Sequence, residues 1–105
     1  MSVPAVSIVD QVSASMSLRS LQHQVIASNI ANRDTQGYQR LRLTFDGALE
    51  QMSSAHVSAD TTRAPVSLEQ DMVAMSSNSA QYQALARVLS RYFSIIATIT
   101  GQGRG

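Results

Sequence analysis

Two stripes of mostly apolar positions, each spaced four-three-four-three, dominate the chain. One runs Ala5, Val9, Val12, Met16, Arg19, His23, Ile26, Ile30; the other runs Leu68, Met72, Met75, Ser79, Tyr82, Ala86, Leu89, Phe93, Ile96, Thr100. That rhythm keeps one face of a helix turned toward a neighbour, so it predicts two long helices wound against other helices. The first is expected from Pro4, whose missing N–H suits a first helical turn, to about Asn32, which tolerates the left-handed conformation that ends many helices. The second is expected from Ser67 to Thr100. Ser67 and Gln70 form a capping-box pattern, Glu69 and Asp71 place negative charge at the positive end of the helix dipole, and Gly101 supplies a stop. Asn78-Ser79 is its expected weak point.

Each helix carries a second seam as well. Ala14, Leu18, Leu21, Val25 and Ser28 form one; Leu85, Val88, Tyr92, Ile95 and Ile99 form the other. A hairpin buries one stripe per helix, so the second must meet another partner or lie exposed as a sticky patch. The remaining positions are mostly Ser, Gln, Ala and Thr rather than the Glu/Lys mixture of a solvated face. Residues of both seams are therefore expected to make assembly contacts.

Between the helices the pattern changes. Three short polar residues fill the end of the first helix in Ser28-Asn29-Ile30-Ala31-Asn32, where propensity disfavours them. Their amides, with the Thr35 hydroxyl, are placed to bond the free carbonyls of the helix end and set the direction of the chain beyond it. Asp34-Thr35-Gln36-Gly37 reads as a turn with Asp first and Gly fourth. Arg40 to Phe45 alternates, with Leu41, Leu43 and Phe45 on one side, which predicts a short strand or extended arm. Phe45, Ala48, Leu49 and Met52 suggest one or two helical turns. Residues 53–65 lack periodicity and read as a flexible connection.

The expected fold class is thus all-α: long N- and C-terminal helices packed as an antiparallel, coiled-coil-like pair, with a short extended arm or β-hairpin-like segment and a loop between them. At 105 residues this is one small domain, divided as 4–32, 33–66 and 67–100. Two helices and a loop offer too little core to offset chain entropy, and no disulfide or metal compensates. The isolated chain is expected to gain much of its order on assembly.

Composition narrows the function. Charged residues are 14% of the chain, against about 25% in a typical domain. Eight Arg, no Lys and a net charge of +1 leave no basic cluster to hold nucleic acid or an anionic membrane. Cysteine is absent, which removes disulfide, thiolate and cysteine-metal chemistry. No run approaches the ~18 apolar residues of a membrane helix, and Asp10 and Gln11 interrupt any cleavable leader pattern. The terminal Gly101-Gln102-Gly103-Arg104-Gly105 reads as a frayed end.

No catalytic or nucleotide-binding motif appears, so no catalytic, cofactor-binding or metal-ligating residue is expected and the chain reads as a non-enzyme. His23 and His56 lack an acidic cluster, and His23 reads as a packed core histidine. Tyr82, Tyr92 and Phe93 sit on helical stripes as core or interface residues. Arg19 interrupts a seam, either as an inter-subunit ion pair or register device or as a solvated helix edge.

The segment Ser28-Asn29-Ile30-Ala31-Asn32-x-Asp34-Thr35-x-Gly37-Tyr38 resembles the N-terminal signature of the bacterial flagellar axial proteins, the rod, hook and hook-associated families. Within them the likeness is nearest to the proximal rod proteins. It extends to Leu18-Arg19 ahead of the signature, an arm ending in Phe45-Asp46, and a terminal helix with Asp71-Met72, Tyr82-Gln83 and Leu89-Ser90 near Phe93. Gln36 stands where those families usually have Pro. The resemblance implies a structural rod subunit in the basal body, exported by the flagellar type III apparatus without a cleaved signal. Its partners would be itself, other rod proteins and the membrane-embedded ring or its rod adaptor. The competing expectation is a secretion adaptor or chaperone whose hairpin dimerises into a four-helix bundle.

Overall fold

A computed structural model of the chain describes residues 5–45, 55–61 and 65–102, the side chains of residues 5–7, Phe45 and Gln102 excepted. Helix α1 spans Ala5–Ala31, strand β1 Leu41–Phe45, strand β2 Ala55–Ala59 and helix α2 Leu68–Gln102. The two helices pack together, and between them lies a two-stranded antiparallel sheet in which Leu41 faces Ala59, Leu43 faces Val57 and Phe45 faces Ala55. The start of α2 sits beside the end of α1, and Asn78 Nδ2 donates to the Arg19 carbonyl at 2.7 Å. These two points fix an antiparallel helical pair. The molecule is elongated, 65 × 28 × 16 Å.

The termini of the helices follow from local hydrogen bonding. At the start of α2 both halves of the capping box form: the Gln70 N–H donates to Ser67 Oγ at 3.1 Å, and the Ser67 N–H donates to Gln70 Oε1 at 2.8 Å. Two otherwise orphaned amide donors are satisfied reciprocally. Ser67→Ala is therefore expected to cost about 1 kcal/mol, read as a lower thermal midpoint of the helical signal. At the end of α1 the Asn32 N–H and its Nδ2 both donate to the Ser28 carbonyl, each at 3.0 Å. This side-chain bond replaces the expected left-handed stop, since no described non-glycine residue has a positive φ, and the helix ends one residue earlier, at Ala31.

Three expectations are corrected here. Residues 53–65 are not wholly irregular, because Ala55–Ala59 forms β2. Its Ala, Ser and His residues give little contrast between faces, so the strand exists through pairing with β1 rather than through its own pattern. Gly101 does not stop α2, which continues through it to Gln102; glycine permits a left-handed ending but does not compel one. Asn78-Ser79 is not a weak point, for Asn78 is buried and tied to α1. The helical turns expected over Ala48, Leu49 and Met52 lie outside the described residues, and Phe45 itself closes β1.

The core is small. Val25 and Ile26 are the buried apolar side chains among the described residues, and the buried polar ones are Asn29, Asp71 and Asn78. On α2 the inward line runs Asp71, Met75, Asn78, Leu85, Leu89, Tyr92, and all of these are buried or half-buried. This line keeps heptad spacing but is rotated from the stripe read off hydrophobicity. Hydrophobicity places Asp71 and Asn78 in solvent and Met72 inside. The chain does the reverse, with Met72 57% exposed, because each buried polar group has a specific partner.

Candidate functional site

The most ordered chemistry of the molecule is a polar joint where α1 hands the chain to β1. Asn29, in the last turn of α1, is 3% exposed. Its Nδ2 donates to the Leu41 carbonyl at 3.0 Å while its Oδ1 accepts from the Leu41 N–H at 2.9 Å. A side-chain amide thus pairs with a strand residue as another strand's peptide group does. Oδ1 also accepts from the Tyr38 hydroxyl at 2.9 Å, leaving the Ser28 hydroxyl to donate to the Tyr38 oxygen at 2.9 Å. Thr35 donates to Asn32 Oδ1 at 3.2 Å rather than to a helix carbonyl.

The turn within this joint lies one residue later than its composition suggests. The Tyr38 N–H donates to the Thr35 carbonyl at 3.1 Å, and Gly37 holds φ 81°. The turn is therefore Thr35–Tyr38, with Gly37 in the third position, where a type II turn requires positive φ. Asp34 precedes it, exposed. Gln36 occupies the second position, where proline's fixed φ is favoured. Gln36→Pro is expected to stabilise the chain by about 0.4–1 kcal/mol, measured as a raised denaturation midpoint.

A second tie joins the strand to α2. Arg40 donates Nη1 to Asp71 Oδ2 and Nη2 to Asp71 Oδ1, both at 2.9 Å. The side chains are 30% and 6% exposed respectively. The Arg40 hydrogen bonds hold the Asp71 carboxyl below its ordinary pKa, overriding the opposing effect of burial. Arg40 is in turn raised, chiefly by its bond to Asp71. Two alternations in the sequence concealed this pair: Arg40 reads as the polar side of a strand, and Asp71 as a helix-dipole charge. Its only sequence signal is that each is a charge adjoining an apolar run.

Joint and tie together connect α1, β1 and α2 through side-chain hydrogen bonds, with Arg40 Nε buried beside them and unpaired among the described residues. Among the described residues there is no group of three or more His, Cys, Asp or Glu that could hold a metal ion. His23 is exposed rather than packed, and lines a groove of about 260 Å³ with Arg19, Ser20, Asn78, Ser79 and Tyr82. Arg19 is half-buried, and its carbonyl rather than its guanidinium receives Asn78. No helix of the described residues is long and apolar enough to cross a membrane.

The residues read as assembly contacts divide by helix. Val9, Val12, Met16, Leu18, Leu21 and Ile30 on α1 are half-buried, with Val25 and Ile26 in the core. Leu41 is half-buried on β1, and the side chain of Phe45 lies outside the described residues. Met75, Leu85, Leu89 and Tyr92 on α2 are half-buried, whereas Met72, Tyr82, Phe93, Ile96 and Ile99 are exposed, Ile99 by 61%. Val88 and Ile95 are exposed alongside them. The antiparallel register through Arg19 and Asn78 sets Ala5 opposite about Tyr92. The exposed stretch from Phe93 onward thus runs past the first described turn of α1.

A polar joint thus closes the end of α1, and the later part of α2 presents exposed apolar side chains. Residues 11–39 match the family model of the flagella basal body rod protein. The rod-protein match covers most of α1 and the joint through Tyr38, so Asn29, Asn32, Thr35 and Gly37 all fall inside it. It supports a structural rod role in the flagellar basal body, and the rod family is not an enzymatic one. Arg40, the sheet and α2 lie outside the match. No curated protein matches the chain.

Proposed function

We propose that this chain is a subunit of the flagellar proximal rod, of the FlgB type, which assembles by packing its helices among those of neighbouring rod subunits. Two facts support the reading together. The rod-protein match covers most of α1 and its joint, and Phe93, Ile95, Ile96 and Ile99 stand exposed on α2. A soluble monomer rarely leaves so continuous an apolar helical face uncovered. Covering it with other helices extends the small core in which Val25 and Ile26 are the buried apolar side chains among the described residues. In this reading the chain leaves the cell body through the flagellar type III export apparatus. It joins other rod proteins and the membrane-embedded ring or its adaptor, and transmits torque through interlocked helices.

Circular dichroism with sedimentation on the purified chain tests the proposal. Low helicity in dilute solution, rising as the chain polymerises or joins rod proteins, is the expected result. A stable, fully helical dimer that does not grow would favour a four-helix-bundle adaptor and overturn the rod reading.

A further inference from the structure

The sheet has edge positions that no described residue fills. The Asp60 N–H donates to the Arg40 carbonyl at 2.7 Å, which makes Arg40 and Asp60 a hydrogen-bonded pair. Along an antiparallel ladder, residues alternate between exchanging bonds with the partner strand and turning their N–H and C=O away. Continuing the register, Arg42 pairs with Ser58 and Thr44 with His56. Leu41 and Leu43 on β1, and Val57 and Ala59 on β2, therefore direct their backbone groups outward. At Leu41 both outward groups are taken by Asn29, whose amide stands in for one residue of a third strand. No described residue does the same for Leu43 or Val57.

We propose that a second copy of this chain completes the sheet: the outer edge of β2 in one copy pairs with the outer edge of β1 in the next, beginning at Leu43. A two-stranded sheet is marginal alone, and a third strand brings it within the range of independent stability. Neither β1 nor β2 carries a proline or lysine to block edge pairing. The occupant is a copy because both complementary edges lie on one chain, with equal lengths of five residues. Leu43 and Val57, cross-strand partners within a copy, share a face, so pairing between copies extends the same apolar ridge. Using two different edges makes the contact heterologous, which propagates rather than closes; this step rests on the rod reading above. Asn29 sets the register, since an incoming strand that passed Leu43 would have to displace its amide.

Amide hydrogen exchange on the full-length chain, dilute and then assembled, tests the pairing. Arg42 and Ser58 amides, bonded within one copy, should show some protection already in the dilute chain and more on assembly. Leu43 and Val57 amides should slow by about tenfold or more only on assembly. Val57→Pro removes an outward N–H but no ladder bond, and should reduce polymer at fixed concentration by about tenfold while leaving the dichroism of the dilute chain unchanged. Polymers in which Leu43 and Val57 exchange as in the monomer overturn the edge pairing and leave the rod reading standing. Protection of Val57 without Leu43 also overturns it, since β2 would then pair with β2. A chain that never assembles overturns both. Because exchange is measured on the unaltered chain, a folding defect in the proline variant does not decide the matter.

Discussion

Replacing Arg40 with Ala is expected to destabilise the chain by about 3 kcal/mol, near the lower end of what removing one partner of a buried ion pair costs. The loss arises at the other partner. Asp71 is 6% exposed, and without the guanidinium its carboxylate stays inside with no side-chain donor and only the weaker pull of Arg33 to offset desolvation. Arg40 is itself 30% exposed, so water screens part of the pair and the upper end of the range does not apply. Urea denaturation of both proteins gives the difference. Arg40→Lys should recover only part of the loss, because an ammonium cannot present two parallel N–H donors to both carboxylate oxygens. The double variant Arg40→Leu, Asp71→Leu should recover most of it by removing the buried charge altogether.

The same pair sets a pH dependence of definite sign. The Asp71 pKa is lower in the folded chain than in the unfolded one, so the unfolded state binds the proton more tightly. The stabilisation is complete above the ordinary carboxylate range and is lost as pH falls through the depressed folded value. The native chain should therefore weaken on acidification below about pH 4. Arg40→Ala should lose most of that response, because burial raises a carboxyl pKa and only the weaker pull of Arg33 remains to lower it.

The helices were legible in the sequence because heptad spacing and a capping box are local signals. Ser67 and Gln70 announce the start of α2 three residues apart, and the bonds that form are the ones those residues predict. The inward face of α2 was not legible in the same way. Asp71 and Asn78 lie inside only because Arg40 and the Arg19 carbonyl await them, 31 and 59 residues away. No local pattern records such partners. Strand β2 escaped for a related reason: Ala-His-Val-Ser-Ala has weak strand propensity, and its order comes from a ladder with β1. Asn29 stood out in sequence as a polar residue at a helix end. Its partner, a strand backbone rather than a helix carbonyl, required the fold to be seen.

Asn29→Ala is expected to cost about 2–3 kcal/mol, since it strands the Leu41 N–H, the Leu41 carbonyl and the Tyr38 hydroxyl at once. The more discriminating variant is Asn29→Asp, which keeps the shape. A carboxylate at this position still accepts from the Leu41 N–H and the Tyr38 hydroxyl, but it offers no proton to the Leu41 carbonyl that Nδ2 now meets at 3.0 Å. Burial and the facing carbonyl oxygen both favour the neutral acid, so the folded pKa of Asp at position 29 lies above its unfolded value. The sign follows: stability of Asn29→Asp should improve as pH falls toward the protonated form, which can donate as the amide does. Against the acid sensitivity that Asp71 gives the native chain below the ordinary carboxylate range, this is an opposite slope in the range above it. If Asn29→Asp instead tracked the native pH profile, the donor half of the amide would carry no weight, and only its acceptor oxygen would hold α1 to β1. If the slopes diverge, the joint between helix and strand depends on one side chain that gives a hydrogen bond from one amide atom and takes one at the other, as a peptide group does.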